Sequence, residues 1–172
     1  KEALEGAAKQ AALESITLLK NERQNASNSN QPILPLGGKG RIFVSGPTAH
    51  SLNALNGGWT GTWQGTDTAY NTPGRPTLVE ALEARFGSKR IVREDVSMAF
   101  TDEDVKRIVR SIQVNKPAYA VLGLGEMPYT EIVGNINDLS LFANQKELVR
   151  AVHATGTPIV AVFIEGRPRT FN

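Results

Sequence analysis

The chain has 172 residues, of which 40% are apolar and 21% charged, a composition typical of a globular domain with one hydrophobic core. Its net charge of +2, its scattered Lys and Arg residues and the lack of any apolar run of about 18–20 residues argue against nucleic acid, an anionic membrane surface or a membrane span. The sequence contains no cysteine and only two histidines, which excludes disulfides and a catalytic thiol, and we expect neither a metal nor a cofactor.

The first half of the chain predicts a helix, a polar loop, a strand and a second helix. Residues 1–20 carry apolar side chains at helical spacing, and the polar segment 21–32 predicts a mobile surface loop. A short apolar strand is predicted at 41–45. A long loop rich in Gly, Asn, Thr and Trp separates this strand from an amphipathic helix at 77–86. Because the chain begins within a predicted helix, we expect an upstream region.

The second half continues this alternation of helices and strands. We predict strands at 90–93, 118–124 and 158–164, with helices beginning after Thr101 and spanning about 144–154. The strands are apolar without polar alternation, which is typical of a parallel sheet covered on both faces. The sequence therefore predicts an α/β fold with a mostly parallel sheet.

Ligands of parallel α/β sheets collect at the carboxyl ends of the strands. Three predicted strands lead into loops of unusual composition, at 45–67, 125–134 and 165–169. We expect all three loops to emerge at one edge of the sheet, and we place the candidate functional site there.

Glu126 and Glu131 lie five residues apart directly after the buried strand at 118–124. A carboxylate beside a core is costly unless it is paired, so each glutamate has either a structural or a chemical purpose, and the residues alone favour neither. Glu165 precedes two arginines in the sequence EGRPR, which favours an internal ion pair at a strand end.

Trp59 and Trp63 lie on a loop with four glycines, where close packing of a core is least expected. They are either core aromatics or, as we favour, an exposed platform for a flat ligand such as the apolar face of a sugar ring. The fragment GLGE resembles part of a dinucleotide-binding motif. Pro128 occupies the place of a further glycine and no helix follows at once, which argues against nucleotide binding.

Taken in order, the segments ILPLGGKGRIFVSGPTA, LNALNGGWTGTWQG, VLGLGEMPYTEIVGNINDLSL and TGTPIVAVFIEGRP resemble the C-terminal α/β domain of family 3 glycoside hydrolases, the β-glucosidases and exo-β-glucanases. The resemblance covers almost the whole chain from Ala7 onward. It implies a three-layer α/β sandwich with a mostly parallel sheet, incomplete at its C-terminal end. Residues 1–172 would then be part of the second domain of an enzyme whose N-terminal barrel is absent here.

The resemblance also implies the roles of particular residues. Family members are retaining enzymes in which the barrel supplies an aspartate nucleophile and the second domain supplies the general acid/base, which matches Glu131. Glu126 matches an acidic position that orders the loop. Trp63 matches a tryptophan that contacts the sugar beyond the cleaved bond, and Trp59 would support it.

The implied substrate is a β-glucan or β-gluco-oligosaccharide from which terminal glucose is removed. We expect the chain alone to be inactive, because the nucleophile belongs to the barrel. The family pattern differs here at Asn135 and Phe142, which concerns loop packing. Bacterial relatives are mostly periplasmic or secreted, and we expect the same compartment.

Other functions remain compatible with parts of the sequence. A non-catalytic carbohydrate-binding module would need Trp59 and Trp63 but not Glu131. A family 3 enzyme of another specificity, such as a β-xylosidase, is a further alternative. The β-N-acetylglucosaminidases of the family often use a barrel histidine as acid/base, and some lack the second domain, so the GEMPYTE segment argues for a glucosidase.

Overall fold

The computed structural model describes residues 2–22 and 32–171. The chain divides into two compact units, Lys1–Gly38 and Lys39–Asn172. Most of the predicted polar loop at 21–32 lies outside the described residues.

The described part of the first unit contains one helix, α1 (Glu2–Ser15), which ends five residues before the predicted end at residue 20. The Ser15 hydroxyl donates a hydrogen bond to the carbonyl oxygen of Ala12 (2.8 Å), the group that the Ile16 amide would contact if the helix continued. Further along this unit, the side-chain amide of Asn21 exchanges two hydrogen bonds with the backbone of Leu34 (2.9 and 3.1 Å).

The second unit is built on a four-stranded sheet in the order β2-β1-β3-β4. All three strand pairs are parallel, which confirms the predicted fold class. The boundaries of the strands differ from the predicted ones by at most one residue. The strands are β1 (Ile42–Ser45), β2 (Ile91–Glu94), β3 (Tyr119–Gly125) and β4 (Ile159–Ile164), and the helices are α2 (Leu78–Phe86), α3 (Asp102–Asn115) and α4 (Ala143–Ala154).

Both faces of the sheet are covered. Helices α3 and α4 pack on the face that carries Phe43 and Leu122, and together they form the main hydrophobic core. On the opposite face Val44 and Val121 are equally buried. The segment between β1 and α2 covers part of that face, because Ala49 lies against Gly123 too closely for a side chain there.

Two helices begin with contacts between a threonine and the acidic residue three positions later. At the start of α2 the Thr77 hydroxyl accepts a hydrogen bond from the Glu80 amide, and the Thr77 amide donates to the Glu80 carboxylate (3.3 and 2.7 Å). At the start of α3 the amide and hydroxyl of Thr101 donate to the Asp104 carboxylate (2.9 and 3.1 Å). These contacts explain why both helices begin where the sequence predicts.

The carboxyl end of β3 is fixed by a side chain of α4. Gln145 is fully buried, and its amide donates to the carbonyl oxygen of Gly125 (2.7 Å) and accepts from the Gly125 amide (2.8 Å). Gly125 has a φ of +128°, and a side chain there would collide with the carbonyl group of Ile164. Strand β3 therefore leaves the sheet at a defined residue, and the loop that follows starts from a fixed point.

We predict that Gln145→Leu destabilises the folded chain by about 2–4 kcal/mol, because the amide and carbonyl groups of Gly125 would remain buried without partners. Urea unfolding followed by circular dichroism measures this change. Gln113→Leu, on the exposed side of α3, is the matched control and should change stability by less than about 0.5 kcal/mol. Equal stabilities of the two variants would contradict this account.

Candidate functional site

The loops that follow β1, β3 and β4 contact one another at one edge of the sheet, as the parallel topology predicts. The Thr48 hydroxyl, after β1, donates to the carbonyl oxygen of Leu124 in β3 (3.1 Å). Further along the same loop, the side chain of Gln64 contacts the backbone of Thr130. The loop after β4 reaches the same region through Arg169, which pairs with Glu126.

Glu126 is a buried ion-pair partner. It is 5% exposed, and its carboxylate accepts hydrogen bonds from Nε (3.0 Å) and Nη2 of Arg169, whose side chain is 7% exposed. The Gly166 amide donates to the other carboxylate oxygen (3.2 Å), and the Glu126 amide donates to the carbonyl of Ile164 (3.1 Å). These contacts join the loops after β3 and β4. Phe142, where the family pattern differs, lies beside the Arg169 guanidinium (5.3 Å to the ring centre).

Glu165 does not form the ion pair that the EGRPR sequence favours. The guanidinium of Arg169 pairs with Glu126, and among the described residues Glu165 accepts a hydrogen bond only from the Arg169 backbone amide (3.2 Å). Arg169 reaches Glu126 instead because hydrogen bonds to Ile164 and Gly166 hold Glu126 close to the loop after β4. Burial, and then the charge of Glu126, raise the pKa of Glu165. Its Oε1 atom is buried without a hydrogen-bond partner in the described part of the chain.

Glu131 differs from Glu126 in exposure, in ion pairing and in backbone conformation. Its side chain is exposed, and it forms no ion pair with a Lys, Arg or His of the described residues. It opens a short 3-10 turn (Glu131–Gly134) with a φ of +53°, in the left-handed region that non-glycine residues rarely occupy. Such a conformation costs of order 1 kcal/mol or more and persists only where the surroundings impose it.

The surroundings fix the backbone on both sides of Glu131. On its N-terminal side the Gln64 side chain exchanges two hydrogen bonds with Thr130 (2.9 and 3.3 Å). On its C-terminal side Arg167 donates to the carbonyl oxygen of Gly134. The exposed carboxyl group of Glu131 thus projects from a backbone that is fixed by two different loops.

Tyr129 and Arg167 form a stacked pair beneath this turn. The guanidinium lies 4.5 Å from the centre of the Tyr129 ring, and its Nε donates to the phenol oxygen. Burial raises the pKa of Tyr129. The ring packs against Gly134 and Gly166, and a Cβ on Gly166 would come 2.9 Å from it. The roles of Gln64, Tyr129 and Arg167 were not predicted from the sequence, although all three lie within motifs singled out there.

Trp59 and Trp63 are exposed to 63% and 46%. The interpretation of both as core aromatics is therefore wrong for this structure. The Trp59 amide donates to the carbonyl of Trp63 (2.9 Å), and Trp59 has a φ of +68°. Gly58 lies so close to the loop after β3 that a Cβ on Gly58 would come 2.7 Å from the Cβ of Thr130. The tryptophan loop (residues 57–65) therefore packs against the residue that precedes Glu131.

Residues 2–22 and 32–171 contain no cluster of three or more His, Asp or Glu side chains that could bind a metal ion. Within those same ranges no helix has the length and apolar character to cross a membrane.

Comparison with known protein families gives one family. The model described as the glycosyl hydrolase family 3 C-terminal domain matches residues 16–172. The chain superimposes on the crystal structure of an exo-1,3/1,4-beta-glucanase from a Pseudoalteromonas species with a TM-score of 0.72 and 29% identity, covering 95% of this chain and 18% of that one. The α/β fold is thus shared with that enzyme.

Three curated relatives of the chain are also glycosidases. A lysosomal beta glucosidase of Dictyostelium discoideum is 30% identical over 95% of this chain and 20% of its own length. A beta-xylosidase of Formosa agariphila is 29% identical over 76% of the chain and 18% of its own length. A periplasmic beta-glucosidase of Salmonella typhimurium is 27% identical over 94% and 22%. The chain spans about a fifth of the length of these relatives.

We predict that Glu165→Gln stabilises the protein more at pH 8 than at pH 4. Because the pKa of Glu165 is raised, the folded state binds its proton more tightly than the unfolded state. The extra stability that the folded state gains by binding this proton is fully present at pH values below the pKa of the unfolded state. It is lost as the pH rises through the pKa of the folded state. Glutamine imitates the neutral form at every pH and still accepts from the Arg169 amide.

The thermal unfolding midpoints of this variant and the wild type, measured at both pH values, test this. Glu147→Gln changes an exposed carboxylate on α4 and is the control, for which a small difference in midpoint is expected. The same midpoint difference at pH 4 and pH 8 for Glu165→Gln would contradict the burial argument.

Proposed function

The chain belongs to glycosyl hydrolase family 3, and on that premise we propose that it supplies the general acid/base of a retaining β-glucosidase or exo-β-glucanase. Glu131 is the residue proposed for this role. The observation that carries the proposal is the exposed carboxyl group of Glu131 on a left-handed residue at the edge where three loops meet. Strained backbone of this kind is concentrated at functional sites.

A general acid/base has requirements that the two glutamates meet to different degrees. The group must reach the substrate, and its proton must be able to leave and return. Glu126 is buried against Arg169 and cannot do this without breaking an ion pair. Glu131 is exposed and forms no ion pair among the described residues, which supports the assignment of the proton transfer to it.

The proposed reaction divides the work between two domains. An aspartate of an N-terminal barrel, outside this chain, attacks the anomeric carbon while Glu131 protonates the departing oxygen. Glu131 then takes a proton from the water that releases the sugar. In retaining glycosidases the two carboxyl groups lie about 5–5.5 Å apart, so we expect Glu131 to project across a domain interface towards the barrel. We infer that this chain has no hydrolase activity by itself.

Trp63 and Trp59 are proposed to bind the substrate. Their exposed rings suit the apolar face of a sugar, and the tryptophan loop lies against Thr130, next to Glu131. This supports a sugar position beyond the cleaved bond, on a β-glucan or β-gluco-oligosaccharide. A non-catalytic carbohydrate-binding module would use the same tryptophans but would not need the strained turn at Glu131.

A β-xylosidase activity is the second candidate, favoured by the relative from Formosa agariphila. Comparison of nitrophenyl β-glucoside and β-xyloside as substrates of the full-length enzyme decides between them. The similarity to a periplasmic β-glucosidase supports a periplasmic or secreted location.

We predict that Glu131→Ala in the full-length enzyme causes a loss that depends on the leaving group. General acid catalysis contributes roughly 10²–10⁴-fold, and a second glucose as leaving group needs all of it. A dinitrophenyl group leaves with little protonation, so its first step should be almost unaffected, and its second step should become limiting. Added azide, which needs no base, should restore turnover and yield a β-glucosyl azide of retained configuration.

Glu126→Gln is the control for this experiment, because it changes the other glutamate of the same loop. It should lower stability and all activities together, without azide rescue, since it leaves the buried Arg169 without its charged partner. Azide rescue of the Glu126 variant in place of the Glu131 variant would reverse the assignment.

We predict that Trp63→Ala reduces kcat/KM for oligosaccharides about tenfold and affects aryl glucosides less, because stacking on a second sugar contributes on the order of 1 kcal/mol. Kinetics with cellobiose, laminaribiose and nitrophenyl β-glucoside measure this. Leu55→Ala replaces another exposed apolar side chain of the long loop after β1, and it should leave kcat/KM unchanged for both oligosaccharides and aryl glucosides. Equal losses on all substrates would show that Trp63 serves the loop's folding instead.

A further inference from the structure

Gln64 joins the tryptophan loop to the loop of Glu131 through two hydrogen bonds. Its Oε1 accepts a hydrogen bond from the Thr130 amide (2.9 Å), and its Nε2 donates to the Thr130 carbonyl (3.3 Å). Both backbone groups of one residue are thus paired with one side-chain amide, as a neighbouring strand would pair them. Gln64 is partly buried, so water competes less for these bonds than on an open surface.

Thr130 is the last residue before the backbone changes conformation. Its φ and ψ of −148° and 158° are those of an extended strand, whereas Glu131 has a φ of +53°. The direction of the Glu131 side chain is set by where this change occurs. A bond pair that fixes the Thr130 peptide groups therefore fixes the point from which the Glu131 carboxyl group projects.

We propose that Gln64 is the positioning residue of Glu131, a role that rests on the function proposed above for Glu131. The contact is reinforced by Gly58, whose Cα lies too close to Tyr129 and Thr130 for any side chain. Gln64 directly follows Trp63, so the segment that would contact the sugar is also the segment that fixes the acid/base. The order of the tryptophan loop and the position of the Glu131 carboxyl group are therefore coupled.

The test uses Gln64→Met in the full-length enzyme, since methionine keeps the length of the side chain and removes both hydrogen bonds. A misplacement of about 1 Å can reduce rates 10²-fold, so kcat/KM for cellobiose should fall about 10–100-fold. The value for dinitrophenyl β-glucoside, which needs little protonation, should stay within about threefold of the wild type. A residue with only a structural role would lower both equally.

The double variant Gln64→Met/Glu131→Ala isolates the path of the effect. If Gln64 acts through Glu131, its replacement should reduce kcat/KM by less than about twofold once Glu131 is alanine. Gln113→Met is the matched control, because it makes the same substitution at an exposed glutamine of α3, away from the tryptophan loop. It should show no dependence on the leaving group.

A second variant, Gln64→Glu, protects the test against a misfolded methionine variant. Its carboxylate still accepts from the Thr130 amide but repels the Thr130 carbonyl oxygen instead of donating to it, so it should show the same leaving-group pattern. Equal losses on both substrates, or a full further loss in the Glu131→Ala background, would overturn the role of Gln64. Leaving-group independence of Glu131→Ala itself would instead overturn the proposed function, and the two failures are thus distinguishable.

Discussion

The carboxylate of Glu126 and the guanidinium of Arg169 lie almost entirely out of water, one at the end of β3 and the other just after β4. The pair joins the two loops, and removing either partner would leave a buried charge that costs several kcal/mol. The positions of Tyr129, Thr130 and Glu131 follow from this constraint. The loop after β3 begins at Gly125, which Gln145 fixes, passes through the ion pair, and only then turns outward.

Two glutamates five residues apart consequently occupy opposite environments. Glu126 is buried and paired with Arg169, and Glu131 is exposed on a backbone that Gln64 and Arg167 fix from two sides. The first joins the loops after β3 and β4, and the second presents the exposed carboxyl group for which the acid/base role is proposed. This division answers why a chain places two acidic residues at the mouth of a buried strand, where a single unpaired one would be costly.

The sequence allows the strands and the meeting of the three loops to be predicted, because apolar runs and parallel topology are local or geometric signals. Helix α1 is overestimated because the hydroxyl of Ser15 competes for a backbone carbonyl, which periodicity does not reveal. The ion pair was expected at Glu165 because that residue is near the arginines in sequence. Arg169 instead contacts Glu126, 43 residues away, and such a choice depends on how two loops pack. The contact of Gln64 with Thr130, 66 residues apart, is of the same kind. The placement of Glu131 and the tryptophans at the sheet edge agrees with the prediction, and their chemical roles remain proposals.

Both ends of the segment 125–130 are fixed by glutamine side chains, Gln145 at Gly125 and Gln64 at Thr130. A carboxamide does not titrate in water, so these four hydrogen bonds have the same donors and acceptors in acid and in alkali. The segment that leads to Glu131 is therefore anchored at both ends by side chains that do not change their protonation state with pH. Glu131 is proposed to release a proton and recover it within each turnover. The two glutamines that anchor the segment before it would keep the same hydrogen bonds in both protonation states of its carboxyl group.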